Sequence, residues 1–212
     1  MTDSAAPLLA DLGPNIFVPA EQDPCGRWHA YSMAFVWENK SLLASLDAGD
    51  NWLERELRLL ARMTQGQRLV YALSTFDGQV NNGGVAQFLF NRGHLADETL
   101  AALRYLGLNH LEDLLSAAVA QADSESLHEA RQVFSEEAFK SLDGSVSARA
   151  HAAYEQERLR VERAAKVLED GWFPKWGGAP VSRTEGPLRI AMCQAMNAYI
   201  ADHPGEFQVL KS

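Results

Sequence analysis

Large apolar side chains recur along most of this chain with the period of an α-helix, about 3.6 residues. Residues 64–76 and 85–91 show the pattern most clearly, because each places its large apolar residues on one helical face. No long run alternates apolar and polar residues, as a half-exposed β-strand would. The pattern therefore predicts an all-α fold. The two faces consist of Leu69, Val70, Leu73 and Phe76, and of Val85, Phe88 and Leu89.

The predicted helices follow one another closely after a proline-rich start. Residues 1–27 carry four prolines, which favours an extended N-terminal arm. We expect residues 28–212 to form a single compact multi-helix domain. Its predicted helices span roughly 28–46, 52–60, 64–76, 85–91, 96–106, 110–121, 123–143 and 145–170, with a last helix from Pro187.

Residues typical of helix ends support these boundaries. Thr64, with Gln67 three residues later, forms a predicted capping box. Pro187 suits the first turn of the last helix, because proline lacks the N–H that this turn leaves unpaired. Further predicted caps are Asn51 and Asn109 at helix starts, and Gly93 and Gly107 at helix ends.

The most distinctive stretch runs from Gly78 to Asn91 and reads Gly-Gln-Val-Asn-Asn-Gly-Gly-Val-Ala-Gln-Phe-Leu-Phe-Asn. Asn-Gly is a strong turn signal, because both residues tolerate positive φ and asparagine can bond its own backbone. We therefore predict that two helices meet at a sharp corner over residues 81–84. Asn81 or Asn82 would lie near the N-cap of the second helix.

Two interpretations of this corner compete. In the structural one, the amides satisfy backbone groups left unpaired by the broken helix, and the glycines allow close backbone approach. In the functional one, the open helix N-terminus and the amides form a small polar pocket for an anion or a peptide. We favour the structural interpretation, since the motif supplies no acid, base, nucleophile or metal ligand. The candidate corner residues are Asn81, Asn82, Gly83, Gly84, Gln87 and Asn91.

Composition narrows the function classes. The chain has 28 acidic and 19 basic residues and a formal net charge of −9, which argues against direct nucleic-acid binding. Cys25 and Cys193 are far apart, so neither a disulfide framework nor a thiol-rich zinc site is expected. We expect no membrane span and no secretory leader, since no long apolar run or basic-then-apolar start is present. The cytoplasm is the expected location.

Residues that could carry out chemistry are sparse. No two of the six histidines are spaced by three or four residues, so a helical metal face is absent from the sequence. His94 is the histidine nearest the predicted corner, and a lone loop histidine is more often a surface residue. Aromatic residues around Trp172 and Trp176 could line a ligand surface, although we favour their anchoring a loop to the core. We expect a non-enzymatic protein without cofactor or metal.

Acidic residues gather on three consecutive predicted helices. Their outer faces would form a negative surface able to engage a basic DNA-binding surface. A soluble protein also needs a charged exterior, and by charge alone that simpler explanation is favoured. The candidate acidic surface consists of Asp97, Glu98, Glu112, Asp113, Asp123, Glu125, Glu129, Glu136, Glu137 and Asp143.

Several runs of the sequence resemble a known family. They are Gln67-Arg-Leu-Val-Tyr-Ala-Leu73, Gly78-Gln-Val-Asn-Asn-Gly-Gly84, Gln87-Phe-Leu-Phe-Asn91 and Ala101-Ala-Leu-Arg-Tyr-Leu-Gly107. Together they resemble the DMP-type DNA-mimic protein family over roughly residues 57–122, with a looser continuation to about 175. The resemblance implies an all-α fold, a homodimer and an acidic surface that occupies the DNA-binding face of a transcriptional repressor.

The sequence thus favours a cytoplasmic, acidic protein-binding module, in its most concrete form a DNA mimic acting on a transcription regulator. One alternative is an inhibitor or immunity protein for a basic toxin. Another is a small-ligand or enzymatic role centred on Asn82, Gln87, Asn91 and His94. A concave pocket into which those side chains converge would favour the last alternative.

Overall fold

A computed structural model of the protein describes residues 52–122, 148–173 and 186–207. Within these ranges every regular element is helical, which confirms the all-α prediction. The predicted arm over residues 1–27, the predicted helices 28–46 and 123–143, the Asn51 cap and Trp176 lie outside the described residues.

The helices follow the predicted order. Pro187 is the first residue of the last α-helix, as predicted. In chain order the elements are α1 Trp52–Arg62, α2 Gln65–Arg92, a 3₁₀ turn Gly93–Leu95, α3 Ala96–Tyr105, α4 Asn109–Gln121, α5 Ala148–Trp172, α6 Pro187–Asp202 and a 3₁₀ turn Pro204–Glu206.

The chain divides into two compact units. Unit 1 comprises Met1–Ser74 with Ile190–Ser212, and unit 2 comprises Thr75–Arg189. The start of α2 therefore belongs to unit 1, and the part of α2 that contains Gly83 and Gly84 belongs to unit 2.

In unit 1, the start of α2 carries the predicted capping box. The Thr64 N–H donates to Gln67 Oε1 at 3.0 Å, and the Gln67 N–H donates to Thr64 Oγ1 at 3.2 Å. Glu206 adds a second cap, because its Oε2 accepts the Gly66 N–H at 2.6 Å. The prediction is confirmed, and a residue distant in sequence extends the cap. The buried apolar residues of the described part of unit 1 include Leu59, Leu60, Leu69, Val70, Leu73, Met192, Met196, Ile200 and Phe207.

In unit 2, an aromatic cluster forms part of the core. Phe76 meets Phe88 and Trp172 edge-on, with ring centroids 5.1 Å and 5.2 Å apart. Trp172 is 1% exposed, so it belongs to the core, as the anchoring interpretation expected. Edge-to-face pairs of this kind add stability beyond the area that they bury.

The predictions for the other helix ends had mixed outcomes. Gly107 ends α3 as predicted, with φ 72°, while the Leu108 N–H donates to the Leu103 carbonyl at 2.9 Å. The predicted role of Gly93 is wrong, since it opens a 3₁₀ turn and is not among the positive-φ glycines of the described residues. The predicted role of Asn109 is also wrong. It is the first residue of α4, and Leu108 occupies the cap position without a side-chain bond.

Cys193 corrects the expectation about cysteines. It is fully buried in α6 and is disulfide-bonded. Sequence separation was a poor guide, because two cysteines need only be close in the folded chain. The other cysteine of the sequence, Cys25, lies outside the described residues.

Hydropathy tests the expectation about membranes. None of the described helices combines the length and the apolar character that a membrane span requires.

Candidate functional site

The backbone of α2 is interrupted at two adjacent glycines. Gly83 has φ −168° and ψ 27°, and Gly84 has φ 79° and ψ −178°. The predicted break over residues 81–84 is therefore present, but it lies at the last two of those residues. The preceding helix runs past Phe76, where we expected it to end, and the apolar face continues through the buried Val80 and Val85.

One side chain lies close to each glycine, although Gly83 itself is exposed. A Cβ atom at Gly84 would lie 2.6 Å from Glu169 Oε1, and one at Gly83 would lie 2.0 Å from Gln87 Oε1. Gly84 also adopts a backbone conformation that is essentially restricted to glycine. The kink therefore requires glycine at Gly84 for two independent reasons.

Glu169 of α5 caps the second segment of the kinked helix. Its Oε1 accepts the Val85 N–H at 2.8 Å, which satisfies one of the backbone donors left unpaired by the break. A carboxylate at a helix N-terminus is also favoured by the helix dipole. The predicted asparagine cap is wrong, because Asn81 and Asn82 keep helical backbone angles before the break, and the Asn81 side chain donates to Asp77 Oδ1 at 2.9 Å.

The environment of Glu169 changes its acidity. Burial raises the pKa of this carboxyl group, and the N–H of Val85 lowers it. Glu162 and Asp170, on the same helix, raise the pKa further, whereas Lys166 lowers it. The net effect is a pKa above the ordinary value for glutamate. Keeping the Glu169 carboxylate ionised in the folded protein therefore costs free energy.

Three amide side chains converge across the kink. Gln79 Oε1 accepts hydrogen bonds from Gln87 Nε2 at 3.2 Å and from Asn91 Nδ2 at 2.9 Å. Gln87 and Asn91 thus share a face, as their spacing predicted, and Gln79 is the member that the sequence analysis missed. The structural interpretation expected these amides to satisfy backbone groups, but they bond one another. His94 lies in the 3₁₀ turn that follows α2 and is partly buried.

A buried ion pair lies six residues before the kink. Arg189 donates from Nε to Asp77 Oδ1 at 2.6 Å and from Nη2 to Oδ2 at 2.9 Å. Asp77 is 5% exposed, and Asn81 donates a further hydrogen bond to it. Two-pronged arginine–carboxylate contacts are among the strongest polar contacts in proteins. No local pattern indicates this pair, because 112 residues separate its members.

The described part of the candidate acidic surface lies on α3 and α4. Asp97 and Asp113 are exposed, and Glu98 is half-buried. Glu112 is instead paired with Arg104, whose Nε donates to its Oε1 at 3.0 Å. Its charge is therefore largely balanced by a neighbour. The remaining candidates, Asp123, Glu125, Glu129, Glu136, Glu137 and Asp143, lie outside the described residues.

Charges on α5 are balanced within the helix. Its sequence carries five acidic and five basic residues. Ion pairs along the helix join Glu155 with Arg158, Glu157 with Arg160, and Lys166 with Asp170. Partly exposed pairs of this kind contribute little stability. The equal numbers of acidic and basic residues leave α5 without net charge, whereas α3 and α4 are net negative.

Across residues 52–122, 148–173 and 186–207, no group of three or more His, Cys, Asp or Glu side chains is arranged to hold a metal ion.

Comparison with known proteins yields one family. A family model described as DMP19-like protein matches residues 61–170. The matched segment contains the glycine kink, Asp77, the acidic residues of α3 and α4, and Glu169, whereas Arg189 lies beyond it. No curated protein and no solved structure matches the chain.

Proposed function

From the membership of this chain in the DMP19-like family, we propose that it is a protein-binding module whose acidic surface occupies the DNA-binding face of a transcription regulator. The observation that carries the proposal is the acidic excess of α3 and α4 inside the family match. Residues 93–122 contain four acidic residues and one basic residue. Proteins that bind DNA present lysine and arginine to its phosphates, so a dense set of carboxylates can compete for the same surface.

The electrostatics of α3 and α4 support this role. Arg104 is bound to Glu112, so the net negative charge of the two helices rests on Asp97, Glu98 and Asp113. Asp97 and Asp113 are exposed, and a partner could reach both without rearrangement. Exposed charges are screened by salt, so binding through them must weaken as ionic strength rises.

The rest of the proposal follows from the same role. A module of this kind acts by binding alone, so it carries out no reaction and needs no cofactor. We propose that it works in the cytoplasm as a homodimer, as the family resemblance implies. A homodimer would present two copies of the acidic surface to a dimeric DNA-binding protein, since many such proteins bind two half-sites.

Capture of partners from a lysate of the source cells tests the proposal. We expect a basic DNA-binding protein to be retained at low salt, released at high salt and displaced by duplex DNA. The double variant Asp97→Asn/Asp113→Asn should retain less of this protein. Asp202→Asn removes a similarly exposed carboxylate from α6 and should retain as much as the unmodified chain.

Two outcomes would contradict DNA mimicry. One is a captured regulator that binds duplex DNA and this chain at the same time. The other is a basic partner that duplex DNA does not displace. That result would instead support the alternative function, inhibition of a basic toxin. Retention of no protein at either salt concentration would move the search to small ligands at the glycine kink.

A further inference from the structure

A groove in unit 2 runs between α4 and α5. Of these two helices, α4 is acidic and α5 has equal numbers of acidic and basic residues. Its volume is about 430 Å³, within the usual range for small-molecule sites. Small residues on both helices leave the space open, and two arginines and one glutamine border it. Among the residues that the structure describes, those lining the groove are Ala117, Gln121, Arg160, Arg163 and Ala164.

Arg160 brings an unused hydrogen-bond donor to this groove. Its Nη2 pairs with Glu157 at 2.6 Å, but its Nε is buried and has no hydrogen-bond partner among the described residues. A buried donor without an acceptor is unfavourable, so native structures seldom retain one. This Nε has almost no exposed surface, so a ligand oxygen would accept its hydrogen bond only if the guanidinium group turned toward the groove.

Arg163 lies three residues further along α5 and therefore on the same side of the helix. Its Nε donates to the Leu159 carbonyl at 3.1 Å, and its side chain is among those that line the groove. The side chain is exposed, so a ligand can reach it from solvent. Gln121, in the last turn of α4, adds an amide on the opposite wall.

We propose that this groove binds a small molecule through a carboxylate or phosphate group held by Arg160 and Arg163. Guanidinium groups suit this role, since their planar set of donors matches the oxygen atoms of both anions. The site has the opposite charge to the acidic surface proposed above, and it uses other residues. The test of anion binding at this groove is therefore independent of the test of DNA mimicry.

A structural explanation of the two arginines makes a different prediction. The negative end of the α4 dipole lies at Gln121, and nearby cations stabilise such a helix end. In that case the arginines would affect stability but would bind no anion. Direct titration with anions separates the two explanations.

The experiment uses the full chain, titrated with inorganic phosphate and separately with malonate, while sodium chloride keeps the ionic strength constant. Nuclear magnetic resonance follows the Nε–H signals of the arginines. We expect both signals from the groove to shift and saturate with at least one of the two anions. Phosphate and malonate distinguish the two chemical groups, because the stronger binder identifies the preferred one.

Variants locate the site. Arg163→Gln should weaken the affinity for the anion by at least about tenfold, because a charge-assisted hydrogen bond is lost. Arg160→Gln should weaken the affinity in the same way. If Arg160→Gln fails to fold, Arg163→Gln still tests the site, because Arg163 is exposed. Arg68→Gln, at an exposed arginine of α2, should bind like the unmodified chain.

Three results would overturn the proposal. The first is saturation with neither anion beyond the effect of sodium chloride. The second is equal weakening in Arg68→Gln and Arg163→Gln. The third is a pair of groove variants that are less stable but bind the anion unchanged, which would leave the arginines with the structural role alone.

Discussion

At the scale of single residues, the two glycines of α2 at positions 78 and 84 have opposite roles. Gly84 has φ 79°, and an added Cβ would lie against the Glu169 carboxylate. Gly78 is exposed within regular helix, and an added Cβ would meet no atom within 4 Å. One glycine is required by the fold, whereas the other only weakens its helix.

Alanine at these two positions should therefore change stability in opposite directions. Gly84→Ala should lower the free energy of unfolding by about 1 to 3 kcal/mol, the usual cost of such backbone strain. Gly78→Ala should raise it by about 0.5 to 1 kcal/mol, because glycine is the poorer helix former. Urea denaturation of both variants measures the difference, and equal effects would contradict a strained kink.

Glu169 makes stability depend on pH. Burial raises its pKa in the folded protein above the ordinary value, so folding favours the protonated form. This contribution to stability is fully present below the ordinary pKa of glutamate. It is lost as pH rises through the raised pKa of the folded state.

The variant Glu169→Gln isolates this contribution, since glutamine does not titrate but can still accept the Val85 N–H. We expect the stability of the unmodified chain, relative to the variant, to fall as pH rises from below about 4.5. Denaturation at a series of pH values measures this difference. A difference that stays constant, or that grows with pH, would contradict a raised pKa at Glu169.

At the scale of elements, α2 is stabilised by caps of two kinds. Its start is capped locally by Thr64 and Gln67, together with the Glu206 carboxylate. Its second segment, after the kink, is capped by Glu169 from another helix. Asn82, a predicted cap, is exposed instead.

Removing the real and the predicted cap should therefore have different effects. Thr64→Ala should destabilise the protein by about 0.5 to 2 kcal/mol, as the loss of a helix cap usually does. Asn82→Ala should change stability by no more than about 0.5 kcal/mol, since surface substitutions of this kind are usually neutral. Thermal denaturation compares the stabilities of the two variants. A loss of stability in Asn82→Ala larger than about 0.5 kcal/mol would support the predicted asparagine cap.

At the scale of the whole molecule, the disulfide at Cys193 bears on where the protein works. Disulfides persist in oxidising compartments and are rare in the cytoplasm. The proposed cytoplasmic location and this disulfide therefore point in different directions. The oxidation state of Cys193 in protein taken from its own cells decides between them.

Alkylation in denaturant provides that measurement. If the disulfide is present in the cell, protein isolated under conditions that prevent oxidation stays unlabelled at Cys193 until a reductant is added, as identified by mass spectrometry of the peptide. This outcome would favour an oxidising compartment. Labelling without reductant would mean a free thiol in the cell, consistent with the cytoplasm and contrary to a stable disulfide.

Local features of the fold could be predicted from the sequence. The capping box joins Thr64 and Gln67, which are three residues apart, and the glycine end of α3 rests on one residue, Gly107. Pro187 and the break near residues 81–84 depend on backbone preferences in the same way. Such features need few neighbours, because the φ and ψ angles available to each residue already restrict the chain.

The candidate site depended on contacts that no local pattern contains. Glu169 lies 84 residues from the N–H that it caps, and Arg189 lies 112 residues from Asp77. A glutamate in a mixed-charge helix looks like many others in sequence, and its role arises only when packing places it at a broken helix end. Gln79 was missed for a related reason, since its partners lie beyond the kink.

The sequence by itself determined the helical class, most helix boundaries and the position of the kink, because periodicity, capping and glycine are local properties of the chain. Only the tertiary structure decided which groups satisfy the broken helix, which carboxylates are already paired, and where two arginines border a groove. Those outcomes depend on burial and on long-range proximity, which change hydrogen bonding and charge after the helices have packed.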